Sequence, residues 1–158
     1  MEDMNRMIDN VVVSRSADPI EEEPDDWQIR NWLTKVILEL DLSHAQVSVY
    51  IVSEGEMRSL NSSYRDSDKA TNVLSFSTGI ETDGCLFLGD IVICSAIVDK
   101  EARCFDMQVN HRYVHILVHG LLHLLGYDHI EAADQEKMET LENSLLTSLG
   151  FPNPYELS

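Results

Sequence analysis

From Val114 to Tyr127 the chain is apolar apart from three histidines, and with His111 these make a histidine at every fourth position: His111, His115, His119 and His123. No other stretch limits the fold as much. An apolar run of this length has to be buried. A four-residue step on an α-helix turns only ~40° past a full circle and rises ~6 Å, so the four histidines form a ladder down one face. Gly126 can end the helix in the left-handed conformation. The stretch therefore predicts a helix over 109–125, packed on most sides and polar along one stripe. It does not predict a membrane span, because no segment of the chain offers the ~18 uninterrupted apolar residues that a span needs.

Two imidazoles one turn apart can converge on one ion at the ~2.0–2.1 Å Zn–N distance. Gly126 follows His123 by three residues, and His129 follows Gly126 by three. A turn at the glycine can carry His129 back to the same ion, giving H-x-x-x-H-x-x-G-x-x-H: three neutral nitrogen donors and one open position. An open fourth position separates catalytic from structural zinc. His119, His123 and His129 are thus the candidate ligands of one zinc ion. Nickel, cobalt and copper also bind such sites. His111 and His115 lack the return turn and are expected at the surface or behind the ligands. Zinc proteases with H-E-x-x-H use the glutamate after the first histidine as general base. Here that position is Gly120, which counts against peptide hydrolysis.

The rest of the chain supplies a scaffold for that helix. Its 158 residues are enough for one domain over 1–158, and 44% apolar with 25% charged residues suits a globular protein. Val11–Val13 reads as a short strand, and Ser14–Asp26 as an acidic connector, either poorly ordered or a long surface turn. A helix capped by Asp25 or Asp26 carries Ile29, Leu33, Val36, Ile37 and Leu40 at helical spacing. Val47–Val52 reads as a strand, and Ser53 with Glu56 as a capping box for a second helix bearing Met57, Leu60 and Tyr64. Val73–Phe76 reads as a short strand, Thr78–Gly84 as a turn, and Leu86–Ile93 as a strand broken at Gly89-Asp90. Helices follow over Ala96–Cys104 and Ala132–Leu149, the last with Met138, Leu141, Leu145 and Leu149 as its buried stripe. This order predicts an α+β fold, a small mixed sheet covered by helices, zincin-like, with the metal site on a central helix and the turn after it. Cys85, Cys94 and Cys104 are odd in number and lack C-x-x-C spacing, so they are read as reduced. The acidic N-terminus has no signal-peptide pattern, which makes the cytoplasm the expected location.

One cation stands out. Arg65 opens the polar loop after the second helix, and an arginine can fork onto two phosphate oxygens. It can equally pair with Asp66 or Asp68. The histidine segment His119-Gly-Leu-Leu-His123-Leu-Leu-Gly126-Tyr127-Asp128-His129 resembles the signature of the YbeY family of bacterial metal-dependent endoribonucleases. The run from Asn61 through Tyr64-Arg65, Asp68, Thr71 and Val73-Leu-Ser-Phe76 is similar to a second family motif, and Leu88-Gly89-Asp90-Ile91 to a third. Met138-Glu139, Glu142 and the Gly150-Phe ending also fit, so the resemblance spans Trp27 to Tyr155. Asn72 and Ser77 depart from it, where aspartate and proline are usual.

The resemblance implies zinc on His119, His123 and His129, and Arg65 on a substrate phosphate. It implies action on single-stranded regions of ribosomal RNA, in 16S precursor maturation and ribosome quality control. Ribosomal proteins or a ribosome-associated GTPase are implied as partners. Asp128 and Asp90 are further candidates, the first as a carboxylate behind a ligating histidine and the second as a partner for backbone groups after Gly89.

The net charge of −17 opposes RNA binding. The expectation is that some of Arg58, Arg65, Lys69, Lys100, Arg103 and Arg112 ring the metal cleft while the acidic ends face solvent. Two other readings compete: a zinc-dependent peptidase or amidase, disfavoured by Gly120, and a non-catalytic ribosome assembly factor with a structural metal, disfavoured by the open coordination position.

Overall fold

The structure, a computed structural model, describes residues 10–65, 71–127 and 132–152, and at 64, 65 and 132 the backbone only. Four strands, β1 (Val11–Arg15), β2 (Ala45–Val52), β3 (Val73–Thr82) and β4 (Cys85–Cys94), form one sheet in the order β1-β2-β4-β3. The first three in that order are parallel, and β3 runs antiparallel at the edge. Five helices accompany them among the described residues: α1 (Asp26–Glu39), α2 (Glu54–Arg65), α3 (Ser95–Cys104), α4 (Val109–Leu124) and α5 (Ala132–Ser148). The fold is α+β with a mixed sheet, as its element order predicts.

Alternation along the strands sends side chains to two cores. Val47, Val49, Ile51, Ile91 and Ile93 join α1 and α4 in the larger one. Val52, Val92, Cys94 and Leu74 meet Met57 of α2 in a smaller cluster on the other face. α1 starts with a capping box: Asp25 accepts from the Gln28 backbone, and the Gln28 side chain accepts from the Asp25 backbone. Ser53 and Glu56 do the same for α2. The Glu56 carboxyl is held below its usual range by the Ser16 hydroxyl and then by the Ser53 backbone.

Three readings of the sequence need correction. Residues 78–82 continue β3, and the turn is only Asp83-Gly84, both at positive φ (51° and 76°), which is the two-residue hairpin geometry that Asp-Gly favours. β4 is not broken at Gly89-Asp90. Its register to β2 slips by one residue so that Leu88 bulges. The acidic connector is shorter than 14–26, because β1 takes Ser14 and Arg15 and α1 takes Asp26. Its remainder is pinned, since Arg15 pairs with both Glu23 and Asp26 and the Glu23 side chain is buried. Cys85, Cys94 and Cys104 are all free.

Candidate metal centre

α4 runs through the larger core beside β3 and β4. Between Tyr113 and Leu124 every residue is buried except His119 and His123. The helix lies close against the sheet at Gly120, where a Cβ would lie 3.2 Å from Ile91 Cγ2 and Ser75 Oγ and 3.3 Å from Val73 Cγ2. The Ser75 hydroxyl donates to the Gly120 carbonyl at 3.0 Å. The residue after His119 therefore faces the sheet in tight packing. A glutamate has no room there, which is a physical reason for the missing protease base.

The two histidines one turn apart do converge. Their Nε2 atoms are 3.0 Å apart, with ring centroids at 4.5 Å and planes at 78°. On the far side of its ring, His119 Nδ1 lies 2.6 Å from Glu142 Oε2. Glu142 is fully buried, and its other oxygen lies 3.9 Å from His115 Nε2. A tetrahedral zinc ion bound at ~2.0–2.1 Å would hold two nitrogens about 3.3–3.4 Å apart, so the pair fits after parting by a few tenths of an ångström. Donor chemistry agrees, since two imidazoles backed by a buried carboxylate suit zinc and similar ions.

α4 ends as a Schellman motif: the Tyr127 N–H donates to the Leu122 carbonyl, the Gly126 N–H to that of His123, and Gly126 takes φ 98°. The chain thus leaves the helix at the expected glycine. Asp128 and His129 lie outside the described residues. Arg65 is the last residue of α2, and its side chain lies outside them too. Among the described residues no group of three or more metal-binding side chains is assembled. The structure therefore brings together His119 and His123 of the expected set.

Other candidates fall elsewhere. Asp90 shares its sheet face with Val92, opposite α4, in a groove of about 580 Å³ with Tyr50, Glu56 and Phe76. His111 meets Phe151 edge-on, with centroids 5.1 Å apart. Lys100, Arg103 and Arg112 do not supply free positive charge, since each pairs at 2.9 Å with Glu54, Asp99 and Glu101 respectively. Sequence reading missed the contact made by Glu142. The signal was present, because Glu142 falls between Met138 and Leu145 on the buried stripe of α5, where a carboxylate needs a partner.

A family model described as Endoribonuclease YbeY matches residues 12–150. Among curated proteins, an Endoribonuclease YbeY of Cellvibrio japonicus is 44% identical over 84% of this chain and 76% of its own length. One of Thiobacillus denitrificans is 46% identical over 84% of this chain and 86% of its own. Among solved structures, the solution structure of TM1509 from Thermotoga maritima superposes with a TM-score of 0.58 at 26% identity, covering 94% of this chain and 96% of that one.

Proposed function

Since the chain belongs to the Endoribonuclease YbeY family, we propose that it is a metal-dependent endoribonuclease that cuts single-stranded regions of 16S ribosomal RNA precursors. In this reading His119, His123 and His129 hold one zinc ion, and Arg65 engages the phosphate at the cut. The observation that carries the reading is the pair of converging Nε2 atoms on the two partly exposed residues of the otherwise buried stretch Tyr113–Leu124.

Each residue has a stated task. His119 and His123 are held on adjacent turns of a helix locked against the sheet, so their donor atoms are placed before any ion arrives. His129, three residues beyond Gly126 in the sequence, would complete a set of three donors, and a fourth position would remain for water or substrate. When bound, such an ion would act as a Lewis acid, lowering the pKa of water towards about 7 and polarising a phosphoryl oxygen. Arg65 forks onto non-bridging phosphate oxygens and balances the charge that grows there. No carboxylate follows His119, so proton transfer does not use the route of the zinc proteases. Water and the RNA 2′-hydroxyl are the two candidate nucleophiles, and they leave different end groups.

Family membership and chemistry support single-stranded RNA as the substrate. Single-stranded RNA exposes individual linkages to an enzyme that must reach one of them. An acidic chain gains from a ribosomal protein or ribosome-associated GTPase that delivers the RNA, and we include such a partner in the proposal. Among the described residues no helix is long and apolar enough to cross a membrane. A cytoplasmic site of action belongs to the same proposal. The test is cleavage of a labelled 16S precursor by zinc-reconstituted protein, compared with His123→Ala and Arg65→Ala.

A further inference from the structure

We infer that Glu142 is the positioning residue of the metal centre: its buried carboxylate keeps a proton on His119 Nδ1 and so leaves Nε2 as the nitrogen that takes the ion. The inference rests on the reading of His119 and His123 as metal ligands. An ionised carboxylate only accepts hydrogen bonds, so the imidazole nitrogen 2.6 Å from Glu142 Oε2 carries the hydrogen. A neutral imidazole has one N–H and one lone pair, so the lone pair then lies on Nε2. That is the nitrogen 3.0 Å from His123 Nε2. A negative charge behind the ring also strengthens its donation to a metal.

The location of Glu142 argues for this role over a packing role. It sits at 0% exposure on the stripe of α5 formed by Met138, Leu145 and Leu146. Taking a carboxylate out of water costs several kcal/mol unless a partner offsets it, a penalty that an apolar side chain on the same stripe would not carry. Folding therefore gives no reason for a carboxylate at 142, whereas the His119 ring does. His115, one turn earlier on α4, flanks the second oxygen at 3.9 Å and narrows the space in which the carboxylate can turn.

The test is zinc affinity by chelator competition on the full chain, with folding followed by circular dichroism and thermal melting. Glu142→Gln keeps the shape but weakens the acceptor, and it is expected to stay folded and bind zinc about 10–100-fold more weakly. Glu142→Leu, which removes the acceptor altogether, is expected to lose more affinity than Glu142→Gln. A folded Glu142→Gln whose zinc affinity stays within about twofold of the parent overturns the inference. Should both variants fail to fold, nitrogen-15 NMR of the His119 ring in the zinc-loaded parent decides. A proton on Nδ1 with the metal on Nε2 supports the inference, and the metal on Nδ1 overturns it. A parent chain that binds no zinc overturns the metal reading and this inference with it. None of these readouts uses RNA, so failure of the nuclease reading is a separate result.

Discussion

His111, His115, His119 and His123 stand one turn apart and meet four different surroundings: a phenylalanine edge, a buried carboxylate, that carboxylate together with a second imidazole, and the open end of the pair. Spacing made the ladder legible. It could not separate its rungs, because their duties depend on α5, which is distant in sequence. Asn72 is similar. Its amide donates to Glu101 at 3.1 Å, and Glu101 also pairs with Arg112, so an aspartate there would set two carboxylates together. At Gly120 the sheet lies too close for a side chain. Gly120→Ala gains about 1 kcal/mol of helix propensity but overpacks Ile91, Ser75 and Val73 at a cost of about 1–3 kcal/mol. The net result is a loss of about 1 kcal/mol, read as a melting point about 2–4 °C lower. Tyr113 is fully buried, with its hydroxyl 2.7 Å from Ser95 Oγ. Burial raises its pKa well above the usual value, with the Ser95 hydrogen bond opposing. The unfolded chain therefore loses this proton first. Its stability contribution is present below the ordinary tyrosine pKa of about 10 and is lost as the pH rises from there towards the folded value. Tyr113→Phe should flatten the fall in denaturation midpoint above about pH 10, at a cost of about 1 kcal/mol near neutrality.

The helices were the most legible elements, because their caps and apolar spacing are local signals. Asp25, Ser53 and Gly126 mark ends where they were expected. Two other helix ends use aspartate instead. Asp41 and Asp106 take positive φ (62° and 54°) to close Schellman motifs after α1 and α3, a role that favours glycine and that composition does not announce. The β3–β4 hairpin is hard to read from sequence because two glycines and polar residues over 78–84 resemble one long turn, although Asp83-Gly84 alone suffices to reverse the chain. The strand between the cores was misread at Gly89, where pairing across two neighbours overrides the local break. Gly89 takes φ 143°, and a Cβ would lie 2.1 Å from the Phe76 carbonyl oxygen and 3.0 Å from Leu124 of α4. Gly89→Ala is therefore expected to cost about 3–5 kcal/mol, seen as a large drop in denaturation midpoint. A change below about 1 kcal/mol would show that the bulge adapts.

For the whole molecule, charge is the governing problem. The chain carries 11 cations against 28 carboxylates. Arg15, Lys100, Arg103 and Arg112 are each neutralised by ion pairs. Among the described residues Arg30, Lys35, Arg58 and Lys137 have none. The expectation that the central cations ring the cleft was a statement about composition. Ion pairing is a matter of three-dimensional neighbours and removes half of those residues. RNA binding should then release few counterions. The slope of log affinity against log salt for a single strand is expected between about −1 and −2, where a broad basic groove would give about −4 or steeper. In the proposed function such binding would lean on the metal and on Arg65, and the decisive experiment measures both together. A labelled 16S precursor is incubated with zinc-reconstituted parent, His123→Ala and Arg65→Ala, prepared identically. The account predicts that the parent cuts and that each variant loses at least about a hundredfold in rate, with its fold intact. Equal cutting by all three would contradict it, because the activity would then come from neither the histidine pair nor the arginine.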